Sequence, residues 1–397
     1  MPALDGLRIL DMTQYEAGTS CTQSLAWLGA DVVKLERPGD GDPGRRIDGG
    51  EQDSAYFLNW NSNKRSIAID LNGDAGRDLL LQMLPHYDVF VENFGPGVME
   101  KLRLDYEALK AVHPPLIYAR IKGFGTDGPY SGFKCYDMIA QAAGGAFSIT
   151  GEADGPPMRP GPTLADSGSG LQLALAITAA YVQQLREGIG QLVEVSMQEA
   201  TTYFLRTTIA SSADWGRQAA ARYGNGFGAT ANLYPCAPGG PNDYAYILAF
   251  IPRHIEAMCH AIGRADLLDV MQPGWSDNDS AGVDPYEEIA KWTRERSKYD
   301  VMQVLGDAGV PCSAVLDTKD LFEDPHLLAR GFVQKIQHEE QGELPLLGPS
   351  IRLSESHVPL RAAPLLGRHT AEVLREDLEL EEDRLAELRR DGTIAFA

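Results

Sequence analysis

Leu7-Arg-Ile-Leu-Asp-Met12, then apolar residues at helical spacing from Thr19 to Leu28, then Ala30-Asp-Val-Val-Lys-Leu-Glu36, decide the fold. Short β-branched runs flank an amphipathic stretch, so the segment predicts strand, helix, strand. The rhythm repeats downstream. Ser66-Ile-Ala-Ile-Asp-Leu71 precedes a helix from Ala75 to Leu84, and Asp88-Val-Phe-Val-Glu-Asn93 precedes one from Glu100 to Val112. Leu116-Ile-Tyr-Ala-Arg-Ile121 closes the series. Strands alternating with helices predict an α/β fold, a Rossmann-like parallel sheet covered by helices, with ligands at the carboxyl ends of the strands.

The pattern then changes. Asp137 to Phe147 and Gly170 to Arg186 predict helices, and Leu192-Val-Glu-Val-Ser196 a strand. Ala200 to Ala221 has a helical pattern that stops in the glycines of Arg222-Tyr-Gly-Asn-Gly-Phe-Gly228. Tyr244 to Phe250 and Cys312 to Leu316 predict strands of a smaller α+β domain. Phe332 to Ile336 predicts another strand, and Thr370 to Arg390 an acidic helix. The expected division is a large Rossmann-like domain over 1–200, a linker helix over 201–225, the small α+β domain over 226–325, and a return segment over 326–397 packing on the large domain.

With 44% hydrophobic and 23% charged residues, the 397-residue chain has the balance of a folded protein. The first residues lack a signal-peptide pattern, and the longest apolar run, Leu171 to Val182, falls short of the roughly 20 residues of a membrane span. A cytoplasmic protein without membrane partners is expected. Five scattered cysteines without a Cys-x-x-Cys pair predict free thiols and no metal site. A net charge of −21 disfavours nucleic acid, although locally gathered Arg and Lys would still accept a small anion.

Candidate functional residues cluster at strand ends. Gln14-Tyr-Glu-Ala-Gly-Thr-Ser20 offers a helix N-terminus to an anion. Leu35 to Arg46 sets Arg37, Arg45 and Arg46 in a glycine-rich loop, as phosphate recognition requires, or as an ordinary surface loop would. In Val91-Glu-Asn-Phe-Gly-Pro-Gly97, Phe94 suits a flat ring and Asn93 brings a donor and an acceptor. Lys101 follows. Lys134, Tyr136 and Asp137 open another helix, which Asp137 would cap. Asp166, in Gly161-Pro-Thr-Leu-Ala-Asp-Ser-Gly-Ser-Gly170, stands where a helix cap would stand. Small neighbours Ser167, Gly168 and Gly18 would let a ligand approach and offer N–H donors.

Together Gly6 to Asp11, Leu28 to Glu36, Asn63-Lys-Arg-Ser-Ile67, Val91 to Gly97, Ala165-Asp-Ser-Gly-Ser-Gly170 and Pro364-Leu-Leu-Gly-Arg-His-Thr370 resemble the class III CoA-transferase family. That family includes formyl-CoA transferase, carnitine CoA-transferase and the α-methylacyl-CoA racemases. The resemblance implies an interlocked dimer of two copies of the chain, acyl-CoA and a carboxylic acid as substrates, and no tightly bound cofactor. It makes Asp166 the catalytic nucleophile with Glu16 beside it. Ala17, Arg37, Leu71, Asn72, Asn93, Phe94, Gly95, Lys101, Lys134 and Tyr136 match CoA-contacting positions, with Asp137 counted among them. A carboxyl group with an ordinary pKa of about 3.9 is ionised at neutral pH, so such a nucleophile needs no base.

Racemases of the family have a His-Asp pair where this chain has Tyr136-Asp137, and Tyr is a poor base at neutral pH. Transferase is thereby favoured over 2-methylacyl-CoA racemase, the alternative, and over a non-catalytic Rossmann-like binding protein. Formyl-CoA transferase carries Gln where this chain has Glu16, and a glycine run replaced here by Ala237-Pro-Gly-Gly-Pro-Asn-Asp243; both departures argue against formyl or oxalate chemistry. Pro238 to Tyr246 is similar to members that use small dicarboxylates. Arg206, Arg217, Arg222 and Arg253 are candidates for a second carboxylate, each more simply a surface arginine.

Overall fold

The computed structural model describes residues 1–271 and 283–396. Runs rich in Val, Ile and Leu, which tolerate burial on both faces of a sheet, form β1 (Arg8–Met12), β2 (Asp31–Glu36), β3 (Arg65–Ile69), β4 (Val89–Glu92), β5 (Ile117–Lys122) and β6 (Leu192–Ser196). The remaining strands are β7 (Ala231–Pro235), β8 (Tyr244–Leu248), β9 (Cys312–Ala314), β10 (Val333–His338), β11 (Gly342–Leu347) and β12 (Ile394–Ala395). The large sheet runs β12-β3-β2-β1-β4-β5-β6, parallel throughout except for β12, which pairs antiparallel with β3. Leu10 of β1 lies opposite Val33 of β2 on one side and Phe90 of β4 on the other. Strand order therefore reverses between β1 and β4, the place where a Rossmann sheet opens a crevice for ligands.

Each face of this sheet has its own apolar core. Leu10, Val33, Ile67, Phe90 and Tyr118 pack with Leu80, Leu109, Val373 and Leu385. Ile9, Val32, Val91 and Ala119 pack with Cys21, Leu25, Leu173 and Ile177. The second core joins the helix Ala17–Trp27 to the 24-residue helix Leu164–Glu187.

Several helices differ from the sequence pattern. The stretch Glu100 to Val112 is two helices, Val98–Leu102 and Tyr106–Val112, because Arg103 takes φ +57° and Asp105 caps the second. The acidic C-terminal stretch breaks at Glu379, φ +53°, into Thr370–Leu378 and Glu382–Arg390. Ala200 to Ala221 is not one helix: Met197–Tyr203 and Arg206–Ser211 end before Asp214 and Trp215, both at positive φ. The helix expected from Gly170 begins six residues earlier, so Asp166 lies in its first turn and not at its cap.

The chain folds as two compact units, one of residues 1–147, 159–219 and 329–397, the other of 148–158 and 220–328. The second is α+β. It holds the antiparallel sheet β7-β8-β9 and the helices Pro252–Ala261, Pro285–Arg294 and Lys298–Asp307, around a core of Tyr234, Ile247, Met258, Ile289 and Leu305. No helix among the described residues is long and apolar enough to cross a membrane.

Candidate active site

Buried charge fixes the turn after β1. Asp11 accepts hydrogen bonds from the Thr13 N–H at 2.9 Å and the Thr22 hydroxyl at 2.7 Å, and pairs with Lys64 at 3.0 Å. Lys34 donates to the Thr13 carbonyl at 2.7 Å and pairs with Asp42 at 2.8 Å. Asp42 in turn accepts from the Tyr15 N–H at 3.1 Å. Ions taken out of water persist only when paired this fully, so the network leaves the loop one conformation, with Tyr15 held at φ +58°. Asn93, expected to meet a ligand with its amide, spends both of its groups on Gln14: Oδ1 accepts from the Gln14 N–H and Nδ2 donates to the Gln14 carbonyl, each at 2.8 Å. It therefore clamps the ends of β1 and β4 together.

The small residues around Asp166 serve packing. A Cβ on Gly170 would lie 2.0 Å from Ser20 Oγ and 2.7 Å from the Ala17 carbonyl, so only glycine lets the long helix rest on Ala17–Trp27. A Cβ on Gly168 would lie 2.6 Å from the Phe204 ring, and one on Gly18 2.4 Å from Thr13. The Ser167 N–H and hydroxyl both bond to the Thr163 carbonyl. Of the three residues expected to offer oxyanion donors, Ser167 has both its N–H and its hydroxyl engaged within its own helix, while Gly18 and Gly168 are glycine because of close packing.

Asp166 is half-buried, and among the described residues its carboxylate accepts no hydrogen bond. Glu16, 3% exposed, accepts a hydrogen bond from the Thr163 hydroxyl one turn below. Asp137 accepts from the N–H groups of Ala165 at 3.0 Å and Asp166 at 3.2 Å, and so caps this helix and not its own. A helix N-terminus favours an anion. Against that, burial and then the nearby carboxylates of Glu16 and Asp137 push Asp166 up to about 8. Burial likewise raises Glu16 to about 7, opposed by the Thr163 bond and aided by Asp137. Burial and these two carboxylates thus work against the ready ionisation expected of a nucleophile that needs no base.

Two cavities flank the β1–β4 crevice and share Gln14 and Phe94. One, of about 260 Å³, is lined by Asp166 with Ala17, Asn93, Gly95, Lys134 and Tyr136. The other, of about 450 Å³, is lined by Arg37, Leu71, Asn72 and Lys101. Glu16 and Asp137 line neither. Lys101 and Lys134 are exposed and make no ion pair among the described residues, whereas Arg37 pairs with Asp40. Arg45 is wholly buried, bound to both oxygens of Glu36 at 2.7 Å and to Asp53, so it is not a phosphate ligand. Lys122, Cys135 and Met197 also line the Asp166 cavity and were not singled out from sequence. For Lys122, the last residue of β5, strand-end position was the available signal. Tyr56, whose hydroxyl is raised by burial and by the charges of Glu16 and Asp166, gave none.

A parallel sheet of Rossmann order, with a carboxylate at a helix start lining a cavity beside the crevice, sets the candidate site where α/β folds hold their ligands. The chain matches CoA-transferase family III over residues 4–370 and belongs to that family, as a CoA-transferase. It is 38% identical to the formyl-CoA:oxalate CoA-transferase of Streptomyces avermitilis, over 99% of each chain. To the enzyme of the same name from Rhodopseudomonas palustris it is 37% identical, over 99% of this chain and 97% of that one. Among solved structures, a CAIB/BAIF family protein from Brucella suis superposes with a TM-score of 0.83 at 30% identity, covering 94% of this chain and 99% of that one. Rv3272 from Mycobacterium tuberculosis gives 0.78 at 26% identity, covering 94% and 98%.

Proposed function

We propose that the chain transfers CoA from an acyl-CoA to a small dicarboxylic acid, with Asp166 as the covalent relay. Ionised Asp166 attacks the thioester carbonyl and expels CoA thiolate, leaving a mixed anhydride. The thiolate attacks the aspartyl carbonyl, releases the donor acid and forms an aspartyl-CoA thioester. An acceptor carboxylate then attacks that thioester, again expelling thiolate, and the thiolate takes the acceptor's acyl group from the second anhydride, restoring Asp166. Every intermediate is an activated acyl group, so the sequence balances without ATP, provided water is kept from the anhydrides.

The supporting observation is the Asp166 carboxylate itself, without a hydrogen-bond partner among the described residues and facing a cavity whose neighbour carries Arg37 and Lys101 for the phosphates and the Phe94 face for a purine. The relatives named formyl-CoA:oxalate CoA-transferase favour oxalate or a close homologue as acceptor, against the inference drawn from Glu16. A protonated Glu16 removes that conflict, since its O–H donates a hydrogen bond where an amide would donate an N–H. The active form is a homodimer of interlocked chains, working in the cytoplasm. An exposed apolar stripe on the long helix, Leu171, Leu175, Val182 and Leu185, supports self-association.

Mass spectrometry after mixing protein with formyl-CoA and hydroxylamine is expected to find a hydroxamate at Asp166. The Asp166→Ala variant should lose all turnover and keep CoA affinity. Turnover surviving in that variant, or α-deuteration of a 2-methylacyl-CoA in D2O without any acceptor acid, would overturn the reading.

A further inference from the structure

The start of the helix Leu164–Glu187 is built unusually. Thr163 occupies the capping position, yet its hydroxyl makes no capping bond and donates to Glu16 instead. The cap comes from 29 residues away in sequence, on another helix. Asp137 Oδ1 accepts from the N–H groups of Ala165 and Asp166, while its Oδ2 accepts from Gln141 Nε2 at 2.6 Å. Gln141 is fully buried and also donates to the Pro162 carbonyl at 3.0 Å, tying the segment that leads into the helix to the same clamp. Asp137 lines neither cavity.

We propose that Asp137 is a positioning residue: by capping the first turn from outside, it fixes the backbone of Asp166 and leaves the Asp166 carboxylate free to face the thioester. This rests on Asp166 being the nucleophile. Without any cap the first turn would be free to fray, and a displacement of about 1 Å at a reacting atom costs about 100-fold in rate. The arrangement also sets a negative charge against Asp166, alongside Glu16 from the β1 turn. Tyr56 and the Cys135 thiol also face that carboxylate.

Full-length Asp137→Ala and Asp137→Asn are compared with wild type on formyl-CoA and oxalate. Asp137→Ala is expected to lower kcat about 100-fold while KM for formyl-CoA moves less than about threefold. Asp137→Asn keeps an acceptor for both N–H groups, but it loses the charge and turns its Nδ2 toward Gln141 Nε2. It should recover part of kcat and move the acid limb of kcat/KM to lower pH. A raised KM with unchanged kcat in Asp137→Ala would overturn the proposal by making Asp137 a ligand contact. If Asp137→Ala does not fold, Asp137→Asn decides alone, and a raised KM for formyl-CoA with unchanged kcat in that variant overturns the proposal. Wild type that forms no adduct at Asp166 would instead remove the transferase reading beneath it, a separate and recognisable result.

Discussion

At the scale of the residue, the chemistry turns on a carboxyl group that is hard to ionise. Asp166 is raised to about 8 and Glu16 to about 7, each chiefly by burial. Attack requires the anion, the form that gains population as pH rises. In the free enzyme kcat/KM should therefore climb with pH and level off above about 8. A carboxylate of raised pKa is also a stronger nucleophile once ionised. Glu16→Gln removes the negative charge of ionised Glu16, so the acid limb is expected to move to lower pH by about one unit with kcat at its plateau largely kept. A pH–rate series from 5.5 to 9.5 checks this; an identical limb in the variant would mean that Glu16 exerts no field on Asp166. Sequence placed these two acids near each other through resemblance, but their protonation was not legible there. Ionisation depends on burial, and burial depends on helices 150 residues apart in the chain.

At the scale of the element, the β1 to β5 strand ends were legible because buried parallel strands leave long β-branched runs, and turn residues mark where they stop. The start of the Asp166 helix was not. Glycine and serine at positions 167 to 170 depress helix propensity, and what overrides it is a tertiary contact, the backbone of Gly170 against Ala17 and Ser20. The loss of a local cap is compensated by Asp137, which sequence assigns just as easily to its own helix. Gly170→Ala tests the contact. Its Cβ meets backbone atoms that cannot swing aside, so a loss of about 1 to 3 kcal/mol in denaturant unfolding is expected, with a fall in kcat because the same helix carries Asp166. Gly161→Ala, whose Cβ meets nothing within 4 Å, is the control and should leave both unchanged. Equal behaviour of the two variants would show that helix contact does not set the site.

At the scale of the whole molecule, composition says nothing of assembly, and a chain carrying a net charge of −21 repels its own copies. Against that repulsion stands the stripe on the long helix. Leu171, Leu175, Val182 and Leu185 recur at helical spacing on one side and are 54, 72, 45 and 68% exposed, a face that a lone chain in water would be expected to cover. The family resemblance raises a sharper possibility than simple pairing, two chains threaded through one another. Threaded chains cannot separate unless one of them opens, so their exchange is limited by unfolding and not by the strength of the interface. Two differently tagged homodimers mixed at 25 °C should accordingly form no hybrid over days, even at salt concentrations or dilutions that dissociate surface-paired dimers, and should form hybrids in the statistical ratio after denaturation and refolding together. Hybrids appearing within hours in native buffer would show a dimer held by its surface alone. In that case Leu175→Glu should convert it to folded monomer, whereas in a threaded dimer the same substitution weakens folding and assembly together, and no folded monomer accumulates.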